Sequence, residues 1–99
     1  MSMDVGVKIE QQLNGGIEMI VNDFGRGIKA YRDVKGMTLD NLAVRIGCSA
    51  SFIFRVEKGK RVVPVNRRIM VLKKGLGWKQ SQIELYLTET IKKYEQNNG

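Results

Sequence analysis

Residues 38–59 read TLDNLAVRIGCSASFIFRVEKG, and how this stretch divides into helices decides the fold. Thr38 offers a side-chain oxygen to the free N–H groups of a helix start, and Asp40 sets negative charge near the positive end of that helix. Leu39, Leu42, Ala43 and Ile46 then recur at helical spacing until Gly47 stops the run after about two turns. Ser49 caps a second segment, in which Ile53 and Val56 lie on one face, and Gly59 ends it. Phe52, Phe54 and Val56 also alternate as strand residues do, so local propensity admits a strand over Ser51 to Val56. The cap at Ser49 and the stop at Gly59 bound a segment of helical length, which favours the helix.

Upstream, Asp23 caps a helix with Phe24, Ile28 and Tyr31 at i, i+4 and i+7, and Gly36 suits a left-handed close. Downstream, Pro64 interrupts a loop before Ile69, Met70, Leu72, Lys73 and Leu76 form a fourth amphipathic run closed by Gly77. Ser81 and Glu84 stand as a capping box for a long last helix whose Ile83, Leu87, Ile91 and Tyr94 make an apolar seam. The expected architecture is all-α, with five helices over residues 23–99. Residues 1–22 form an N-terminal extension with two readings. Val5, Val7 and Ile9, the turn Asn14-Gly15-Gly16 and a returning Ile17 to Val21 suit a β-hairpin, whereas Ile9, Leu13, Ile17, Ile20 and Phe24 share one face of a helix.

The chain holds 99 residues, with 17 Lys and Arg against 10 Asp and Glu and no His, a net charge of +7. A domain of this length buries roughly 65% of its unfolded surface, enough for one core and too little for a second domain with its own linker. Without histidine, and with Cys48 alone, there is no thiol–imidazole dyad, Ser-His-Asp triad, usual zinc ligand set or internal disulfide. No enzyme activity, metal or cofactor is therefore expected. The opening MSMDVGVKIE lacks the basic-then-apolar layout of a leader, and no apolar run approaches the ~18 residues of a membrane span. A cytoplasmic protein with no membrane partner is expected.

The charge is concentrated. Between residues 25 and 79, fourteen Lys and Arg face three Asp and Glu, a local charge of +11, while residues 1–24 carry −3 and residues 80–99 carry −1. Such a field attracts polyanions, and double-stranded DNA, with a charge every ~1.7 Å of axis, is the densest common one. A basic face kept only for solubility is the plain alternative.

Residues 38–59 resemble the lambda-repressor and Cro-like (XRE-type) helix-turn-helix family. Its pattern runs Thr-Gln-x-x-Leu-Ala-x-x-x-Gly-Val-Ser-x-x-x-Ile-x-x-x-Glu-x-Gly. Thr38, Leu42, Ala43, Gly47, Ser49, Ile53, Glu57 and Gly59 match it at the right spacing, with Cys48 in the valine slot. The resemblance extends over about residues 23–90. It departs from the pattern at Leu39, where many relatives carry a phosphate-binding glutamine, and at Phe52 and Phe54, where small polar residues are common.

The resemblance implies a sequence-specific, double-stranded-DNA-binding transcriptional regulator, a repressor as in phage or bacterial relatives, with helix 49–58 in the major groove. Arg32 and Glu57 occupy positions that pair as a structural salt bridge in the family. Ala50, Ser51 and Arg55 match base-contacting positions, and Arg55 has the planar fork that takes guanine O6 and N7 together. A phosphate contact is the alternative role for Arg55. Phe54 joins the base set through thymine methyl groups or sugar edges, with packing as its alternative; Phe52 is read as packing. Thr38, Arg45, Lys58, Lys60, Arg61, Arg67 and Arg68 are the expected phosphate contacts. Family habit and the seam of Ile83, Leu87, Ile91 and Tyr94 suggest a homodimer. The competing reading is an antitoxin or small anti-regulator whose main partner is another protein, bound through the hydrophobic N-terminal segment.

Overall fold

The computed structural model describes residues 17–98. Residues 17–22 form a helical segment, α1, followed by α2 (Phe24–Val34), α3 (Leu39–Ile46), α4 (Ala50–Glu57), α5 (Val65–Met70) and α6 (Gln80–Asn98). A π-helical turn, Val71–Gly75, continues α5. The described residues contain no strand. The five expected helices are therefore present, and α1 is added to them. The strand read for Ile17 to Val21 is helix instead, because Ile17 and Ile20 share a face that is 3% and 1% exposed. The rest of the hairpin, with Asn14-Gly15-Gly16, lies outside the described residues.

Local chemistry accounts for the helix ends. Asp23 Oδ1 accepts from the Arg26 N–H at 3.2 Å, and Ser49 Oγ accepts from the Phe52 N–H at 3.1 Å. Thr38 and Asn41 cap reciprocally: Thr38 Oγ1 accepts from the Asn41 N–H at 3.0 Å, and Asn41 Oδ1 accepts from the Thr38 N–H at 3.1 Å. At the end of α3, Gly47 adopts φ +70°, and the Cys48 N–H reaches back to the Ala43 carbonyl at 3.0 Å. Only a residue without Cβ takes this left-handed position at low cost, and it turns the chain directly into α4.

Leu42, Ile53 and Leu72 lie in one core with Ile28, Leu76, Trp78, Ile83 and Tyr86. Two glycines set how closely the helices approach. A Cβ on Gly25 would strike the Val56 carbonyl, so α2 lies against the backbone end of α4. A Cβ on Gly75 would sit 2.5 Å from Leu42 Cδ1, so the π-helical turn lies against α3.

The last two helices differ from expectation. The fourth run begins at Val65, directly after Pro64, and its widened turn places Val71, Leu72, Gly75 and Leu76 all inward. In α6 the cap is not Ser81: the helix starts at Gln80, and Gln82 Oε1 accepts from the Lys79 N–H at 2.8 Å. The expected seam also divides. Ile83 is buried and Leu87 packs on the core, but Ile91 and Tyr94 are 57% and 68% exposed. Tyr86, Thr90 and Lys93 continue the inner face, because Lys93 Nζ donates to the Asn22 carbonyl at 3.2 Å where α1 ends. No helix among the described residues is long and apolar enough to cross a membrane.

Candidate nucleic-acid interface

Helix α4 buries Ile53, Val56 and Glu57 and turns Ser51, Phe54 and Arg55 outward. With Ala50 half-buried beside them and Leu39 entering from the start of α3, these side chains line one shallow hollow. The four base candidates, Ala50, Ser51, Phe54 and Arg55, are thus brought together on a single surface. Arg55 pairs with no acidic side chain among the described residues. In the sequence Leu39 is an apolar residue of the α3 run and a departure from the family pattern; its place in the hollow follows from the crossing of α3 and α4, which the sequence does not display.

The buried Glu57 orients α4 from behind. Its carboxylate accepts from Arg32 Nε at 2.8 Å and Nη2 at 3.0 Å, while Arg32 Nη1 donates to the Met37 carbonyl at 2.8 Å. The hydrogen bond to Glu57 holds the Arg32 guanidinium above its ordinary pKa, with the negative charge of Glu57 adding to the effect and burial opposing it. The expected pair is present, and its bidentate form ties α2 to the last residue of α4.

A basic loop leaves the same helix. Gly59 at φ +74° lets the Lys60 N–H bond the Arg55 carbonyl at 2.9 Å and the Gly59 N–H bond the Val56 carbonyl at 3.0 Å. These paired bonds fold the chain back over the helix end, so Lys58, Lys60 and Arg61 emerge exposed beside α4. Lys58 Nζ lies 5.5 Å from the Phe54 ring centre, and Arg61 lies 5.7 Å from that of Phe52. Phe52 packs against the core.

The other phosphate candidates divide. Thr38 and Arg67 are exposed, and the charge of Arg67 is felt at Cys48, where burial pushes the thiol up and Arg67 partly offsets it. Arg45 donates to the Gly75 carbonyl at 3.3 Å, next to Lys35, whose Nζ donates to the Leu76 carbonyl at 3.0 Å. Arg68 is half-buried: it donates to the Val63 carbonyl and, at 3.4 Å, to the Tyr86 hydroxyl, and it lies 5.4 Å from the Phe24 ring centre. Arg68 therefore braces the loop from within, joining α5 to α2 and α6. Its sequence signal, one more cation in a basic run, is the same as that of its exposed neighbour Arg67.

A family model described as a helix-turn-helix domain matches residues 23–84, from the cap of α2 into α6. Neither the curated proteins nor the solved structures gave a match.

Proposed function

Because the chain belongs to the helix-turn-helix domain family, whose model covers well over half of it, we propose that it is a sequence-specific double-stranded-DNA-binding transcriptional regulator. Helix α4 enters the major groove, and the protein represses, as a cytoplasmic homodimer, at a two-fold symmetric operator. The observation that carries this reading is the joining, on one helix, of an exposed hollow bordered by Ser51, Phe54 and Arg55 with a basic loop pinned to its end. Ser51 and Arg55 supply donors for base edges, while Lys58, Lys60, Arg61, Arg67 and Thr38 hold phosphates and set register. Arg45 and Arg68 act behind them, as supports of the π-helical turn and of the loop. The exposed Ile91 and Tyr94 support α6 as the dimer face. The fold is that of a binding module, and no catalytic role is assigned to it.

The test is selection of sheared genomic DNA by the purified protein against excess competitor, with the retained fragments sequenced at two salt concentrations. An inverted repeat that survives the higher salt supports dimeric, specific regulation, and its half-site spacing reports the distance between the two α4 helices. Retention of unrelated fragments that vanishes with salt refutes it. A second reading, a protein partner bound beside α1 and α6, is favoured by the exposed Met19, Leu85 and Ile91. Co-purification of a second small chain that blocks DNA retention supports that reading.

A further inference from the structure

The hollow at the front of α4 divides by chemistry. Leu39, Ala50 and Phe54 make an apolar wall, and Ser51 and Arg55 make a polar rim beside it. Phe54 is 47% exposed, although hydration of an aromatic ring is unfavourable, whereas Phe52 two residues earlier packs against the core. Arg55, exposed and without an acidic partner among the described residues, stands next to Phe54 in sequence and borders the same hollow. A guanidinium beside an apolar recess is complementary to two neighbouring base edges. The guanine edge offers O6 and N7 to the fork of Arg55. The base on its 5′ side lies one ~3.4 Å step away, and if it is a pyrimidine it turns carbon 5 toward the apolar wall. A methyl group on that carbon packs on the apolar wall; a bare C–H leaves that wall hydrated.

We propose that the hollow formed by Leu39, Ala50 and Phe54 is a specificity pocket for the 5-methyl group of a pyrimidine immediately 5′ of the guanine read by Arg55. In unmodified DNA the ligand is the thymine of a TpG step, and in methylated DNA it is the 5-methylcytosine of a CpG step. The pocket rests on the DNA-binding reading and adds a chemical modification to it. Cytosine methylation strengthens a CpG half-site by the few-fold effect of one methyl group. The departure of Leu39 from the family's usual glutamine takes part directly, since a polar amide in that place would remove one side of the apolar wall.

The experiment uses the operator obtained by genomic selection, rebuilt as synthetic duplexes. Each thymine is replaced in turn by deoxyuridine, which removes only the methyl group. The TpG step is also rebuilt as CpG and as 5-methyl-CpG. The expected result is a loss of about fourfold in affinity per half-site for one uracil position, the effect of withdrawing one methyl group from an apolar site. That thymine sits directly 5′ of the guanine at which Arg55→Ala relaxes selection, and 5-methyl-CpG binds more tightly than CpG by a similar factor. Phe54→Ser and Leu39→Ser each erase the thymine-to-uracil difference while still selecting the guanine read by Arg55; circular dichroism checks that both are folded. Uracil tolerated at every position by a protein that still selects its operator overturns the pocket and leaves the DNA-binding reading standing. Failure to select any operator overturns both.

Discussion

Arg55 and Lys60 are both exposed cations within five residues of each other, yet their environments predict different defects. Arg55 borders the hollow with Ser51, so Arg55→Ala should cost about 1–3 kcal/mol at one base pair and relax selection only there. Lys60 lies in the folded-back loop, so Lys60→Ala should weaken all sequences alike and flatten the log–log salt slope by about 0.9. Binding titrations on operator and scrambled duplexes at four salt concentrations separate the two. Cys48 gives a pH prediction. Burial raises its thiol pKa, and the thiolate is the reactive form, so little of it is present near neutrality. Alkylation by iodoacetamide should be slow at pH 7 and still rising above pH 9, and a rate already level at pH 8 refutes the burial argument.

At the scale of elements, the position of α4 is set by what lies behind it. Gly25 has the Val56 backbone where a side chain would go, so Gly25→Ala must push α2 away from α4. Backbone cannot give way as a flexible side chain can. The expected loss is about 1–3 kcal/mol, read as a lowered urea midpoint, together with weaker operator binding. The Arg32–Glu57 pair is the other brace, with side chains 11% and 3% exposed. Glu57→Ala leaves Arg32 with the Met37 carbonyl and only the exposed Asp33, 3.7 Å away, as counter-charge, and should cost about 3 kcal/mol. The double replacement Arg32→Met with Glu57→Leu removes both charges and should be less destabilising than Glu57→Ala alone. A double variant worse than the single one would show that the pair itself supplies the stability.

For the whole molecule, the local charge of +11 between residues 25 and 79 is not one uniform patch. Lys35 and Arg45 sit on successive carbonyls at the close of the π-helical turn, Arg32 and Arg68 are drawn into the frame, and Lys29 is paired with Asp33 at 2.7 Å. The cations left around α4 are Arg55, Lys58, Lys60, Arg61 and Arg67. With Arg55 on a base edge, the four cations Lys58, Lys60, Arg61 and Arg67 on phosphates correspond to a salt slope of about −3.6 per protomer. A steeper slope would require exposed cations elsewhere in the segment, such as Arg26, Lys73, Lys74 or Lys79, to reach DNA as well. At the end of α6, Ile91 and Tyr94 are exposed, and Tyr94 borders a hollow with Gly59 and Arg61 of the basic loop. If these form the dimer face, Ile91→Glu should leave the fold and the non-specific affinity intact, yield a monomer by light scattering, and reduce operator affinity by more than tenfold.

The helix-turn-helix was legible in the sequence because its determinants are local. Asp23, Thr38 and Ser49 cap neighbours three residues away, and Gly36, Gly47 and Gly59 take left-handed conformations at the turns. Such bonds close within a few residues, so spacing along the chain is enough to specify them. The spacing of Arg32 and Glu57 was informative only through family resemblance, since twenty-five residues separate them. Tertiary structure decided the rest. It brought Leu39 to the wall of the hollow, turned Arg68 inward to Val63 and Tyr86, and buried Tyr86 in α6 while leaving Ile91 and Tyr94 exposed. Each of these depends on which helix face meets which neighbour. Periodicity marks a face as apolar, but only the packing of α1, α3 and the π-helical turn determines which side chains that face finally hides.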